Sequence, residues 1–151
     1  MITQAVIKDI EAVIHITHTT IESIYPHYYP RGAVDFFLSH HNRTAIKRDI
    51  DGGNVFILRE SGIPAGTVTV NGNELNRLFV LPEFQGKGLG SQLMKFAEKK
   101  ISENFAEICL SASLPAKKIY LSKDYTPAEY HMIKTDNGDF LCYDVMTKSL
   151  R

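Results

Sequence analysis

A chain of 151 residues has room for one domain around one core and not for two. Apolar residues make up 44% and charged residues 23%, which excludes a disordered chain, and 17 Lys and Arg balance 17 Asp and Glu. Zero formal charge removes the usual electrostatic argument for nucleic acid, and no apolar run is long enough to span a bilayer, so neither nucleic acid nor membrane is an expected partner.

The start of the chain, Met1 to Asp9, lacks the charged-then-apolar layout of a signal peptide, so the expected location is cytoplasmic. Cys109 and Cys142 lie far apart, each in an apolar run, and read as reduced core thiols of a cytosolic protein. No repeat, low-complexity stretch or Pro/Gly/Ser linker divides the sequence, so residues 1–151 form a single domain.

Met1 to Val6 fits a short strand. Asp9 then opens a helix whose apolar positions Ile10, Val13, Ile14, Ile21 and Ile24 recur at helical spacing. Pro26 and Pro30 bracket an aromatic segment that must leave this helix. A second helical stretch runs from about Ala33 to Asp51, broken near His40 to Asn42, and Asp51-Gly52-Gly53-Asn54 is a turn. Strands follow at Val55 to Arg59 and Ala65 to Val70, joined through Glu60-Ser61-Gly62. Asn71-Gly72 is a hairpin signal leading into a strand from Glu74 to Leu81, which Pro82 stops. Gly88 to about Asn104 is an amphipathic helix with Leu89, Leu93, Ala97 and Ile101 on one face and lysines towards its C-terminal end. A strand at Glu107 to Ser111, a short helix at Pro115 to Ser122 and a hairpin of Glu129 to Lys134 with Phe140 to Met146 complete a mixed α/β chain.

The chemistry concentrates where the strand ending at Pro82 meets Gln85-Gly86-Lys87-Gly88-Leu89-Gly90-Ser91. Glycines let a backbone approach a ligand closely, and the first turn of the following helix adds unpaired N–H groups and the positive end of its dipole. Together these suit a pyrophosphate, with Lys87 a further positive charge at the rim. A Walker P-loop needs Gly-Lys-Ser/Thr, but Gly88 follows Lys87 here. A dinucleotide-binding turn needs G-x-G-x-x-G early in a βαβ unit, whereas these glycines read G-x-G-x-G after a meander. A tight turn that merely connects strand to helix remains the structural alternative.

Gln85-Gly86-Lys87-Gly88-Leu89-Gly90 matches the pattern Gln/Arg-x-x-Gly-x-Gly/Ala without a gap, and with the preceding Leu78 to Phe84 it resembles the GNAT superfamily of acetyl-CoA-dependent N-acetyltransferases. A second block, Leu110 to Tyr125, resembles that family's later strand-helix motif, and the likeness extends from about Val55 to Met146. It departs at Lys123-Asp124-Tyr125, where Gly-Phe is usual, and at Ser113, where many members carry asparagine.

The resemblance implies a GNAT-like α/β fold. In it, a mostly antiparallel twisted sheet of about six to seven strands is splayed at the cofactor site, with helices on both faces. It implies acetyl-CoA as acyl donor, no metal, and transfer to a primary amine by direct attack in a ternary complex. Leu78, Phe79 and Val80 match the strand that pairs with the pantetheine arm, and an N–H near Phe79 and Val80 would stabilise the oxyanion. The amides of Gln85, Gly86, Lys87, Gly88, Leu89, Gly90 and Ser91 would hold the pyrophosphate, and Ser113 would lie on the arm. Tyr120 matches the family tyrosine that returns a proton to the leaving thiolate, and Glu74 the carboxylate that works as base through water.

The first two helices and their connection wall the acceptor pocket in that family. Here this segment offers Tyr25, Tyr28 and Tyr29 to a cationic or flat amine and Arg31 to an acidic group. The acceptor is a small molecule or a protein or peptide amine, and the assembly a monomer or homodimer. His15 and His18, with His40-His41 nearby in sequence, lack a carboxylate or cysteine at zinc spacing and read as surface or pocket histidines. Two other readings stay open: a non-catalytic acyl-CoA-binding or sensing module, and an interaction protein whose glycine turn binds nothing.

Overall fold

The computed structural model describes all 151 residues. A short strand β1 (Ile2–Gln4) leads through a 3-10 turn into α1 (Ile10–Ile24), followed by α2 (Arg31–His40) and α3 (Arg43–Asp51). The meander β2 (Val55–Glu60), β3 (Ile63–Asn71) and β4 (Glu74–Val80) precedes α4 (Leu89–Ser102). Then come β5 (Glu107–Ala112), α5 (Leu114–Ser122), β6 (Thr126–Lys134) and β7 (Phe140–Ser149).

The expected break between the second and third helices falls at His41 and Asn42, and its cause is a cap. Asn42 Oδ1 accepts from the Ala45 amide at 2.8 Å, satisfying an N–H that opens α3. The preceding helix starts at Arg31, two residues earlier than expected, because Pro30 sits at its N-cap and Asp139 Oδ2 accepts from the Gly32 amide at 2.9 Å. That second bond comes from the far end of the chain, where the sequence pattern gives no sign of it. The strand expected over Met1 to Val6 is cut to Ile2–Gln4 by the 3-10 turn at Ile7–Asp9, and the final hairpin is longer than expected at both ends.

All seven strands form one sheet in the order β1-β2-β3-β4-β5-β7-β6, in which β4 and β5 are the parallel neighbours. Alternation along β2 sends Val55 and Ile57 to a cluster with Val13, Ile46 and Ile50 from α1 and α3. Phe56 and Leu58 point the other way, into the larger core with Leu93, Ala97 and Ile101 from α4. Successive strand residues face opposite sides of a sheet, so helices cover both faces.

Two features of β4 shape the centre of the molecule. Thr67 pairs with Phe79 and Thr69 with Asn76, so β4 spans three steps where β3 spans two. The extra residue is a bulge, with Arg77 at a left-handed φ of 49°. Just before it β4 leaves β5: Glu74 pairs with Cys109 and Leu75 with Leu110, but the strand from Asn76 to Val80 has no partner on that side. A free strand edge inside a sheet is a place for something extended to lie.

Candidate active site

The parting of β4 and β5 opens a cleft of about 680 Å³, within the range of small-molecule sites. Leu78, Phe79 and Val80 of β4 form one wall. Ser113 and Tyr120, brought by the β5–α5 unit, line it as well, and the first turn of α4 closes one end. Tyr25 and Tyr28, with Phe36 and Phe37, reach in from the α1–α2 side.

At the α4 end, Gly86 and Gly88 take φ of 80° and 78°, a left-handed conformation that costs side-chain-bearing residues energy. This turn presents the amides of Gly86, Lys87, Gly88, Leu89, Gly90 and Ser91, none of which donates to a protein acceptor. Gln85 differs from expectation. Its amide donates to the Pro82 carbonyl at 3.2 Å and its side-chain Nε2 to the Val80 carbonyl at 2.9 Å, so it braces the turn instead of offering its N–H. Lys87 also departs in its side chain, which does not line the cleft: Nζ lies 3.8 Å from Glu60 Oε2 and 5.4 Å over the Phe84 ring.

Tyr120 is buried against Tyr125, their rings edge-to-face at 5.6 Å. Its hydroxyl has no partner in the protein yet is not sealed from solvent, because it opens on the cleft. Burial, and then the neighbouring Tyr25, push this phenol well above the usual range, so it keeps its proton at any physiological pH. The turn after α5, where the sequence has Lys123-Asp124-Tyr125, is made by Asp124 at a φ of 70°, a left-handed position that aspartate tolerates better than most residues. Tyr125 then enters the core and donates to Glu98 Oε1 at 3.1 Å. Glu74 lines the cleft at the start of β4, where that strand still pairs with β5.

On the acceptor side the residues expected together separate. Tyr25 packs edge-to-face on Phe37 at 4.7 Å, and both line the cleft with the exposed Tyr28. Tyr29 does not line it. Its phenol accepts from the Leu114 amide at 2.7 Å and donates to the Cys142 carbonyl at 3.3 Å, fastening the α1–α2 connection to α5 and β7. Arg31 also stands outside. Its guanidinium, 57% exposed, makes a two-pronged pair with Glu22 at 3.0 Å and a further bond to Asp35 at 2.9 Å, so the chain's own carboxylates take the place of an acidic ligand.

Sequence reasoning missed a polar cluster on this side. Arg77, in the bulge, donates from Nη2 to Asp49 Oδ2 at 2.9 Å, from Nη1 to Thr69 Oγ1 at 3.0 Å and from Nε to His41 Nδ1 at 3.2 Å. An arginine inside an apolar strand is the one visible signal; its partners come from elements 28 and 36 residues away. His18 Nε2 donates to the His41 carbonyl at 2.7 Å, which accounts for two of the histidines noted in the sequence. Cys109 and Cys142 are free and half-buried, and no helix is long and apolar enough to cross a membrane.

The family model described as an acetyltransferase (GNAT) domain matches residues 24–138. No curated protein sequence gives a significant match. Among solved structures, a GCN5-related N-acetyltransferase from Rhodopseudomonas palustris superposes with a TM-score of 0.89 at 20% identity, covering 99% of this chain and 94% of that one. The PaiA N-acetyltransferase from Thermoplasma acidophilum, in complex with coenzyme A, gives 0.72 at 19% identity over 99% and 98%. The ribosomal-protein-S18-alanine N-acetyltransferase from Escherichia coli gives 0.67 at 21% over 99% and 93%. At these identities the likeness is one of fold.

Proposed function

The chain belongs to the GNAT acetyltransferase family, and we propose that it is an N-acetyltransferase moving the acetyl group of acetyl-CoA to a primary amine in a ternary complex. The observation that carries this is the run of unengaged amides from Gly86 to Ser91 at the head of α4, where every residue but Lys87 borders a cleft that continues to Tyr120. Converging N–H groups at a helix N-terminus are a site for a diphosphate. The apolar cleft beyond suits a flexible, uncharged arm.

On this reading the amides of Gly86 to Ser91 hold the pyrophosphate, and the free edge of β4 at Leu78, Phe79 and Val80 receives the pantetheine arm alongside Ser113. An N–H near Phe79 and Val80 steadies the oxyanion as the amine nitrogen bonds to the thioester carbon. Glu74 draws the proton from the incoming ammonium through water. Tyr120 donates its proton to sulfur as the C–S bond breaks. A phenol held protonated by burial suits that step, since its proton is present whenever the thiolate leaves. Tyr25 and Tyr28 form the acceptor wall.

Thiol release measured against a broad panel of amines, with CoA binding followed in parallel by calorimetry, tests the proposal. Both signals are expected. Binding without release from any amine would favour an acyl-CoA sensor, and unmoved amide NMR signals of Gly86 to Ser91 at millimolar CoA would end the reading.

A further inference from the structure

His41 stands at the junction of α2 and α3, and its ring lines the cleft beside Phe79, edge-to-face at 6.1 Å. Arg77 Nε donates to His41 Nδ1 at 3.2 Å. A guanidinium has donors and no lone pair, so Nδ1 must accept and the ring proton must sit on Nε2. Arg77 cannot turn away to release the ring. Its two other nitrogens are engaged by Asp49 and Thr69, and its side chain is only 4% exposed. The bond from His18 to the His41 carbonyl fixes the backbone that carries the imidazole. A second proton is opposed as well: burial first, then the charges of Arg77, His40 and His18, push the imidazole down to about 3.

The ring is therefore neutral, of one tautomer and held in place. It cannot take a proton from an amine. What it offers is Nε2–H, which has no partner in the protein and is not sealed from solvent. An unpaired donor in a largely apolar cleft favours a ligand that brings an oxygen acceptor. The charges lining that cleft narrow the choice. Glu74 is its sole carboxylate and Arg77 its sole permanent cation, beside the imidazoles of His40 and His41, and Arg77 is neutralised by Asp49. One carboxylate matches one ammonium, and the permanent cation is already paired within the protein. The rings packed on His41 are those of Phe79, at 6.1 Å, and His40, at 5.1 Å.

Building on the acetyl-transfer reading above, we infer that His41 sets acceptor specificity: its Nε2–H receives a carbonyl oxygen, so the acceptor is a monoamine whose apolar body carries an amide-type carbonyl. Polyamines and plain alkylamines fit less well. A polyamine brings further charges to a cleft with no second anion, and an alkylamine leaves Nε2–H unpaired.

Thiol release is compared for phenylalaninamide, for phenethylamine, which lacks only the carboxamide, and for spermidine. His41→Phe is expected to shrink the preference for the amide over phenethylamine by about tenfold, through KM for the amide with kcat held. His41→Gln, which still presents an N–H, is expected to recover part of it. An unchanged preference in His41→Phe, or spermidine as the best substrate of the native protein, overturns the inference. Imidazole 15N shifts of the native, CoA-bound protein supply a readout without turnover. The proton is expected on Nε2 from pH 5 to 8, with the Nε2 signal moved by phenylalaninamide. A proton on Nδ1, or an imidazolium at pH 6, overturns the inference. Release from none of the amines, with that signal still moved, ends the transferase reading while upholding His41 as the carbonyl receiver.

Discussion

Arg77 Nη2 donates to Asp49 Oδ2 at 2.9 Å, and through this bond the bulge of β4 is tied to α3. Both side chains are buried, at 4% and 10% exposure, and Arg77 holds a left-handed backbone that an arginine does not adopt by preference. Removing one partner of such a pair leaves the other charge uncompensated out of water. Asp49→Ala is expected to lower stability by about 3–5 kcal/mol in urea unfolding, and to weaken turnover by loosening the strand that walls the cleft. A loss under ~1 kcal/mol would show that water reaches the guanidinium and that the bulge holds itself.

Tyr120 invites the opposite result. Its hydroxyl bonds to nothing in the protein, so Tyr120→Phe strands no donor or acceptor, and the melting temperature should stay within a degree or two. If the phenol supplies the proton for the leaving thiolate, kcat falls by about 100-fold or more while acetyl-CoA affinity stays within about twofold. Unaltered kcat would reduce Tyr120 to part of the cleft wall.

Tyr25, Tyr28 and Tyr29 sit within five positions, and nothing in their order says which rings face a ligand. The chain leaves helical geometry there, so periodicity no longer assigns a face, and distant segments decide. Tyr29 is claimed by the Leu114 amide and the Cys142 carbonyl, and Arg31 by Glu22 and Asp35. Tyr29→Phe should therefore act on stability, costing about 1–2 kcal/mol for the Leu114 amide left without its acceptor. Arg31→Ala should change neither melting temperature nor kcat/KM. A steep rise in KM for the amine in Arg31→Ala would return that residue to the acceptor site.

The legible parts of this protein were local. The glycine turn, the helix it opens, the strand before it and the break at Asn42 each depend on neighbours in sequence, where turn chemistry and capping act. The parting of β4 from β5 followed from resemblance, and the strand order came only with the structure, since no pairing register is written in one strand alone. The Arg77 cluster was hidden because its partners, Asp49 and His41, come from another layer of the fold. Even within the glycine turn the part played by Gln85 was out of reach, because its amide and side chain are both committed to the bend that precedes it.

The acid limb of stability follows from the same cluster. His41 has an ordinary imidazole pKa near 6.5 when unfolded, and burial beside Arg77 pushes it down to about 3 when folded. Between those values the unfolded chain takes up a proton that the folded one refuses. Its contribution is therefore complete above pH 6.5 and shrinks as pH falls towards 3, by up to about 1.4 kcal/mol per pH unit. Carboxylates titrate mostly below pH 5, so the window from pH 7 to 5 isolates the histidines. Urea unfolding in that window should give a steeper loss for the native protein than for His41→Gln, the gap growing by about 2 kcal/mol. His15, His18, His27, His40 and His131 are common to both proteins. Parallel curves would mean that the folded ring accepts the proton, and a ring that does so cannot hold Nδ1 open to Arg77 or keep Nε2–H as a fixed donor to the acceptor.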